Sequence, residues 1–153
     1  GASAVLYEGQ RAIPLCKSLN TLVNHMAGHK AHKAGALEGL LHNNGYFTEG
    51  SRSSLFLVRD GQLITAPQVR VLPGITRDIV VKVMKETGSP VIEQPVPVDL
   101  QALDEVFITA TSMHVMPVTV IDGRNIGSGE IGPITRLAME RFDTFYSDYL
   151  KRQ

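Results

Sequence analysis

The chain has 153 residues, with 15 basic and 15 acidic side chains and no net charge when its histidines are neutral. That length is enough to bury most of the surface an unfolded chain exposes, so one domain is expected, and the balanced charge argues against nucleic acid or an anionic membrane as main partner. The single cysteine, Cys16, excludes an internal disulfide, and no apolar run approaches membrane-spanning length; a soluble cytoplasmic domain acting on a small neutral or zwitterionic molecule is the expectation.

Taken in chain order, 4–7 reads as a short strand and 8–15 as an irregular approach containing Gly9 and Pro14. Lys17 stands just before a helix expected from Asn20 or Thr21 to Ala34, with Asn20 as cap, Leu22, Met26 and Lys30 along one line and Gly35 as the stop. Residues 38–42, the turn Asn43-Asn44-Gly45 and residues 46–49 read as a hairpin, because Asn-Gly readily takes positive φ. Residues 54–59, Asp60-Gly61 and 62–65 form a second hairpin. After a loop over 66–73, Gly74 opens a helix to about Glu86, with Ile75, Ile79, Val80, Val83 and Met84 expected on its buried side. Residues 91–94 read as a strand, 99–104 as a single helical turn and 105–109 as a strand. Residues 117–121, Asp122-Gly123 and 124–126 give a third hairpin, and 132–149 a closing amphipathic helix. Hairpins dominate the connections, so the expected class is α+β, a curled antiparallel sheet with flanking helices.

The strings Lys17-Ser-Leu-Asn20, Ala31-His-Lys-Ala-Gly35, Glu38-Gly-Leu-Leu41, Thr48-Glu-Gly-Ser51, Leu72-Pro-Gly-Ile-Thr-Arg-Asp78 and Asp104-Glu-Val-Phe-Ile-Thr109 together resemble the class IV (fold type IV) pyridoxal-phosphate-dependent aminotransferases. That group includes D-amino-acid and branched-chain aminotransferases and aminodeoxychorismate lyases, and the match is to its larger, C-terminal, cofactor-binding domain. The resemblance implies a pseudo-barrel sheet, pyridoxal 5'-phosphate as cofactor, an amino acid and a 2-oxo acid as substrates, and a homodimer. It also implies that the family's smaller N-terminal domain, which closes over the cofactor, does not precede Gly1, so that residues 1–153 are a single cofactor-binding domain and the chain alone is a fragment. Lys-Ser-Leu-Asn leans toward the D-amino-acid type; C–N elimination of the lyase kind, or a non-catalytic domain lacking its other half, are the alternatives.

The resemblance makes Lys17 the Schiff-base lysine, whose freed amine then moves a proton at the substrate α-carbon. The residues support that role chemically: a lysine amine becomes a nucleophile where burial or a nearby cation disfavours its ammonium form, which suits a pocket floor. Glu49 at a strand end is the partner for a pyridine nitrogen, keeping it protonated as an electron sink. Gly74, Ile75 and Thr76 offer a close approach, the start of a helix and a hydroxyl for a phosphate, although the same amides serve an ordinary helix start. The family adds Thr111 on the phosphate, with Ser51 and Leu72 as further cofactor contacts. Arg52 departs from the family's small or polar residue at that position, and Ser54 from its usual asparagine; Arg52 is a candidate for the substrate carboxylate or the phosphate, and equally for solvent. His25, His29 and His32 share a helix face but are flanked by Lys30 and Lys33, so no metal site is expected there. Cys16 is read as a packing residue.

Overall fold

Nine strands and three helices make up the computed structural model, which describes residues 1–152. The strands are β1 (Ala2–Glu8), β2 (Glu38–Asn43), β3 (Tyr46–Gly50), β4 (Ser54–Arg59), β5 (Gln62–Thr65), β6 (Ile92–Glu93), β7 (Glu105–Ala110), β8 (His114–Ile121) and β9 (Arg124–Asn125). The helices are α1 (Leu22–Lys33), α2 (Ile75–Lys85) and α3 (Pro133–Lys151), with short 3-10 turns at Gln68–Arg70 and Leu100–Ala102.

The three expected two-residue turns are present because their sequences admit left-handed backbone. Asn44 and Gly45 have φ of 51° and 78°, Asp60 and Gly61 51° and 70°, Asp122 and Gly123 48° and 75°. A fourth hairpin, β7 to β8 through Thr111, Ser112 and Met113, extends β8 back to His114, beyond the expected start at Pro117. The strands join in the order β3-β2-β1-β8-β7-β4-β5-β6, with β9 on β8. The sheet is mixed: β1 runs parallel to both β2 and β8, and β5 parallel to β6. The parallel pair β1–β2 arises because α1 carries the chain back across the sheet face, a connection that hairpin signals do not register.

Connectivity forces the sheet to curl. β3 and β4 are five strand positions apart, on the order of 24 Å in a flat sheet. Only Ser51, Arg52 and Ser53 link them, a span of at most about 14 Å from Gly50 to Ser54. The sheet therefore bends until β3 returns toward β4, and its concave face closes on Leu40, Phe47, Leu55, Leu57, Ile64, Val106, Ile108, Val118 and Ile121. On the convex face, Val80 and Met84 of α2 and Ala138 and Phe142 of α3 join Phe56, Val58 and Phe107 of the sheet in a second core. There Phe56 and Phe107 stack with ring centres 4.8 Å apart.

The line of Leu22, Met26 and Lys30 on α1 is not its buried side. Leu22 and Met26 face outward, and the buried residues are Asn24, Ala27 and Ala31. Small residues let the helix backbone lie directly on β2, and a Cβ on Gly39 would fall 2.5 Å from the Ala27 carbonyl oxygen. Thr21, not Asn20, precedes the helix. Ile75, expected on the buried side, is the first residue of α2 and is 73 % exposed, while Val80 and Met84 are buried as expected. Cys16 is exposed rather than packed.

Candidate functional site

Glu49, at the end of β3, is buried, and both of its carboxylate oxygens are engaged. Oε1 accepts from Arg11 Nε at 3.0 Å, and Oε2 accepts from the Leu72 N–H at 3.2 Å. The first bond ties the strand to the segment that carries Lys17; the second ties it to the segment that opens α2. A carboxylate has about four acceptor directions, so two remain for a further donor. Arg11 is itself buried, and a buried ion pair of this kind holds its carboxylate in place through the mutual cost of separating the charges.

α2 begins at Gly74 without a side-chain cap, so the amides of its first turn are free to face an anion. Gly74 lies close beside β4: a Cβ there would fall 2.8 Å from Ser54 Oγ, which would have to turn aside. Thr76 is buried in this first turn. Thr111 arrives from the other side. β4 and β7 pair Ser54 with Thr109, which brings the exposed turn after Ala110 to the same sheet edge as Ser54 and Gly74.

Lys17 lies in an irregular stretch anchored at both ends to the β3–β4 turn, by Arg11 on Glu49 and by Asn24, whose Nδ2 donates to the Ser51 carbonyl at 3.0 Å. Direct links thus join the segment before Lys17 to Glu49, Glu49 to Leu72, α1 to Ser51, and Ser54 to Thr109, and Gly74 lies beside Ser54; none of these links involves the side chains of Lys17, Arg52, Ile75, Thr76 or Thr111. The structure does not bury the amine. Lys17 is exposed and has no side-chain hydrogen bond or ion pair among the described residues, because no element among them covers the stretch from Ala12 to Asn20. The pocket floor expected for it is not formed by these residues.

Ser51 has a structural part. Its N–H donates to Glu38 Oε1 at 3.1 Å, its hydroxyl donates to the same oxygen, and its carbonyl receives Asn24. Sequence reasoning assigned no role to Glu38, Arg11 or Asn24. Glu38 is 1 % exposed, and its Oε2 accepts from Ser53 Oγ at 2.8 Å, so one buried carboxylate shapes the whole turn. The available signal was a charged residue opening an otherwise apolar strand, which requires a dedicated set of donors.

Two surface hollows lie away from this edge. One, between β7 and the start of α3, is lined by Asp104, Glu105 and Glu130. Glu105 caps α3 by accepting from Ile134 N–H at 3.1 Å and Thr135 N–H at 2.7 Å, and Asp104 accepts from Gly61 N–H at 3.1 Å. Those two acids serve the fold. The other, beside Leu6, Asp99 and Asp122, holds no candidate residue. No helix of the described residues is long and apolar enough to cross a membrane.

Residues 2–121 match the family model for amino-transferase class IV. Among curated relatives, a D-alanine aminotransferase of Listeria innocua is 42 % identical over 88 % of this chain and 48 % of its own length. A protein named putative branched-chain-amino-acid aminotransferase in Methanocaldococcus jannaschii is likewise 42 % identical, over 84 % of this chain and 46 % of its own. The solved branched-chain amino acid aminotransferase of Escherichia coli superposes with a TM-score of 0.82 at 35 % identity, covering 92 % of this chain and 50 % of that one. A T.th. branched-chain amino acid aminotransferase solved with pyridoxamine 5'-phosphate gives 0.82 at 36 % identity, over 93 % and 50 %. The chain therefore spans about half the length of the relatives it matches. The D-alanine and branched-chain names occur at the same identity, so this half is common to both.

Proposed function

Because the chain belongs to the amino-transferase class IV family, whose members use pyridoxal phosphate, we propose that it forms the cofactor-binding part of an enzyme that moves an amino group from an amino acid to a 2-oxo acid. The observation that carries the reading is Glu49. One buried carboxylate joins the Lys17 segment, through Arg11, to the uncapped start of α2, through Leu72.

The residues present fit the cofactor. Glu49 keeps free acceptor directions for a ring N–H, the open amides of Ile75 and Thr76 suit a phosphate, and Lys17 supplies an unpaired amine. When bound, pyridoxal phosphate supplies an aldehyde that condenses with an amine and a ring that draws electrons from the carbon attached to that amine. Glu49, fixed by Arg11, holds a proton on the ring nitrogen. The start of α2, with the Thr76 and Thr111 hydroxyls, would hold the phosphate, and Leu72 and Ile75 would be further contacts of the cofactor. The Lys17 amine would hold the cofactor and, when free, would be the group that moves a proton at the substrate α-carbon. Its exposure here leaves the exclusion of water to parts of the enzyme beyond the described residues. A smaller closing domain, a homodimeric assembly and a cytoplasmic setting complete the reading.

Colour is the test. Incubation with pyridoxal phosphate followed by borohydride reduction and peptide mapping is expected to place the adduct on Lys17, out of six lysines in the chain. An adduct scattered over Lys30, Lys33, Lys82, Lys85 and Lys151 with none at Lys17 would overturn the reading.

A further inference from the structure

We propose that Asn44 is a site of spontaneous covalent modification: the β2–β3 turn loses ammonia there, passes through a cyclic imide, and ends as aspartate or as an isoaspartate that loosens the turn. A cyclic imide forms when the backbone nitrogen following an asparagine attacks that asparagine's side-chain carbonyl carbon. Three features favour the attack: a following residue without a Cβ, an asparagine side chain free of hydrogen bonds, and a following N–H that is also free.

The chain has five asparagines, and only Asn44 is followed by glycine; Asn20 precedes Thr21, Asn24 precedes His25, Asn43 precedes Asn44 and Asn125 precedes Ile126. Asn44 and Gly45 are both exposed. Neither the Asn44 side chain nor the Gly45 N–H takes part in a hydrogen bond among the described residues. Asn24, by contrast, is buried with its Nδ2 on the Ser51 carbonyl, and Asn43 Nδ2 donates to Gln10 Oε1 at 2.6 Å. The two sister turns differ in the same respect. Gly61 N–H donates to Asp104 Oδ2 at 3.1 Å, and Asp122 Oδ1 accepts from the Leu6 N–H at 3.1 Å. Of the three left-handed two-residue turns, the one at Asn44 alone leaves both reacting groups unbound.

The reaction needs only water. The Gly45 nitrogen gives its proton to solvent and bonds to Asn44 Cγ; the Cγ–Nδ2 bond breaks, and ammonia leaves with a proton from solvent. Water then opens the ring at either carbonyl, and nothing is oxidised or reduced. Opening at one carbonyl gives aspartate with the main chain unchanged. Opening at the other gives isoaspartate, whose main chain runs through the former side chain and is longer by a carbon.

The two products differ for the fold. Aspartate at position 44 keeps a turn of the kind already built at Asp60-Gly61 and Asp122-Gly123. Isoaspartate lengthens a loop whose length sets the hairpin register, and both sides of that loop are fixed to other segments. The Gly45 carbonyl accepts from the Val98 N–H at 2.9 Å, and Asn43 holds Gln10, the neighbour of the Arg11 that grips Glu49. Ageing of this turn therefore reaches the buried ion pair through two adjacent residues.

Incubation of the chain in mildly alkaline buffer, followed over time by peptide mapping, tests the proposal beside Asn44→Gly and a synthetic peptide spanning 41–48. Amide-to-acid conversion is expected at Asn44 at least about 10-fold faster than at the other four asparagines, because Gly45 alone presents no Cβ to the reaction. Exposed loops open locally at little cost, so the rate in the folded chain should lie within about tenfold of the peptide's. Asn44→Gly keeps the left-handed turn and should show no conversion there. The isoaspartate fraction, separated by chromatography, should unfold at lower urea than unmodified chain, and the aspartate fraction at the same midpoint. Conversion led by another asparagine, a folded-chain rate more than about 100-fold below the peptide's, or one urea midpoint shared by isoaspartate and unmodified chain would each overturn the assignment.

Discussion

The floor and the rim of the candidate site are made of opposite kinds of residue. Glu38, Glu49, Arg11, Asn24 and Ser51 on the floor are all buried, and each is tied to another segment by a hydrogen bond or ion pair. Lys17, Arg52, Ile75 and Thr111 on the rim are all exposed. Buried charge is costly unless every lone pair is met, so the floor residues can tolerate little change in position. Rim residues carry no such constraint and are held only through the backbone that the floor fixes. The groups that would touch a ligand are therefore not the groups that set its geometry.

Substitutions should split along that line. Lys17→Ala is expected to abolish the trapped adduct and to lower amino transfer by the intact enzyme on the order of 10^3-fold, with the urea midpoint of the chain unchanged. A large fall in stability would place Lys17 on the floor instead. Arg11→Ala leaves Glu49 buried beside an unmet charge, and equilibrium urea unfolding should show a loss of about 3–5 kcal/mol; a loss under about 1 kcal/mol would mean the pair is not desolvated in solution. Glu38→Ala removes the carboxylate that accepts from the Gly39 N–H and the Ser51 and Ser53 hydroxyls, with an expected loss of about 3 kcal/mol and weaker cofactor uptake despite no contact with the ligand. Unchanged uptake in a folded Glu38→Ala variant would break the link between floor and rim.

The rim was more legible in the sequence than the floor, for a physical reason. Lys17 and Thr111 on the rim, the start of α2 at Gly74 and the three hairpin turns are read from short strings, and of the floor only Glu49 and Ser51 are read in that way; Asn-Gly or Asp-Gly sets a turn by its own φ preference. Arg11 and Glu38 act through partners 38 and 13 to 15 residues away, and no local string encodes such a pairing. The same holds for the fold. α2 and α3 show their buried faces through apolar spacing, whereas α1 buries Ala27 and Ala31 and turns Leu22 and Met26 outward, so its apolar pattern points the wrong way. β1 lies between two parallel neighbours, a placement set by the α1 crossover rather than by anything within β1 itself.

A weaker effect is expected just behind the site, where Arg77 meets Glu93. Burial alone would raise the Glu93 carboxyl, but the Gln68 N–H at 3.0 Å and the Arg77 guanidinium outweigh it and hold the group below its ordinary value of 4.5. A carboxyl lowered on folding contributes stability that is present above the unfolded value and lost as pH falls through the folded one. Glu93 is 39 % exposed on its side chain, so solvent screening limits the contribution to less than about 1 kcal/mol. Glu93→Gln should therefore lower stability slightly at about pH 7, and the gap to wild type should narrow as the pH falls below the ordinary value of 4.5. A gap that stays constant as the pH falls would show that the uncharged hydrogen bonds of Glu93, and not its charge beside Arg77, anchor the loop from Ala66 to the start of α2. In that case the buried guanidinium would be satisfied chiefly by Asp78 and the Ala66 carbonyl, and the entry to α2 would be positioned without help from β6.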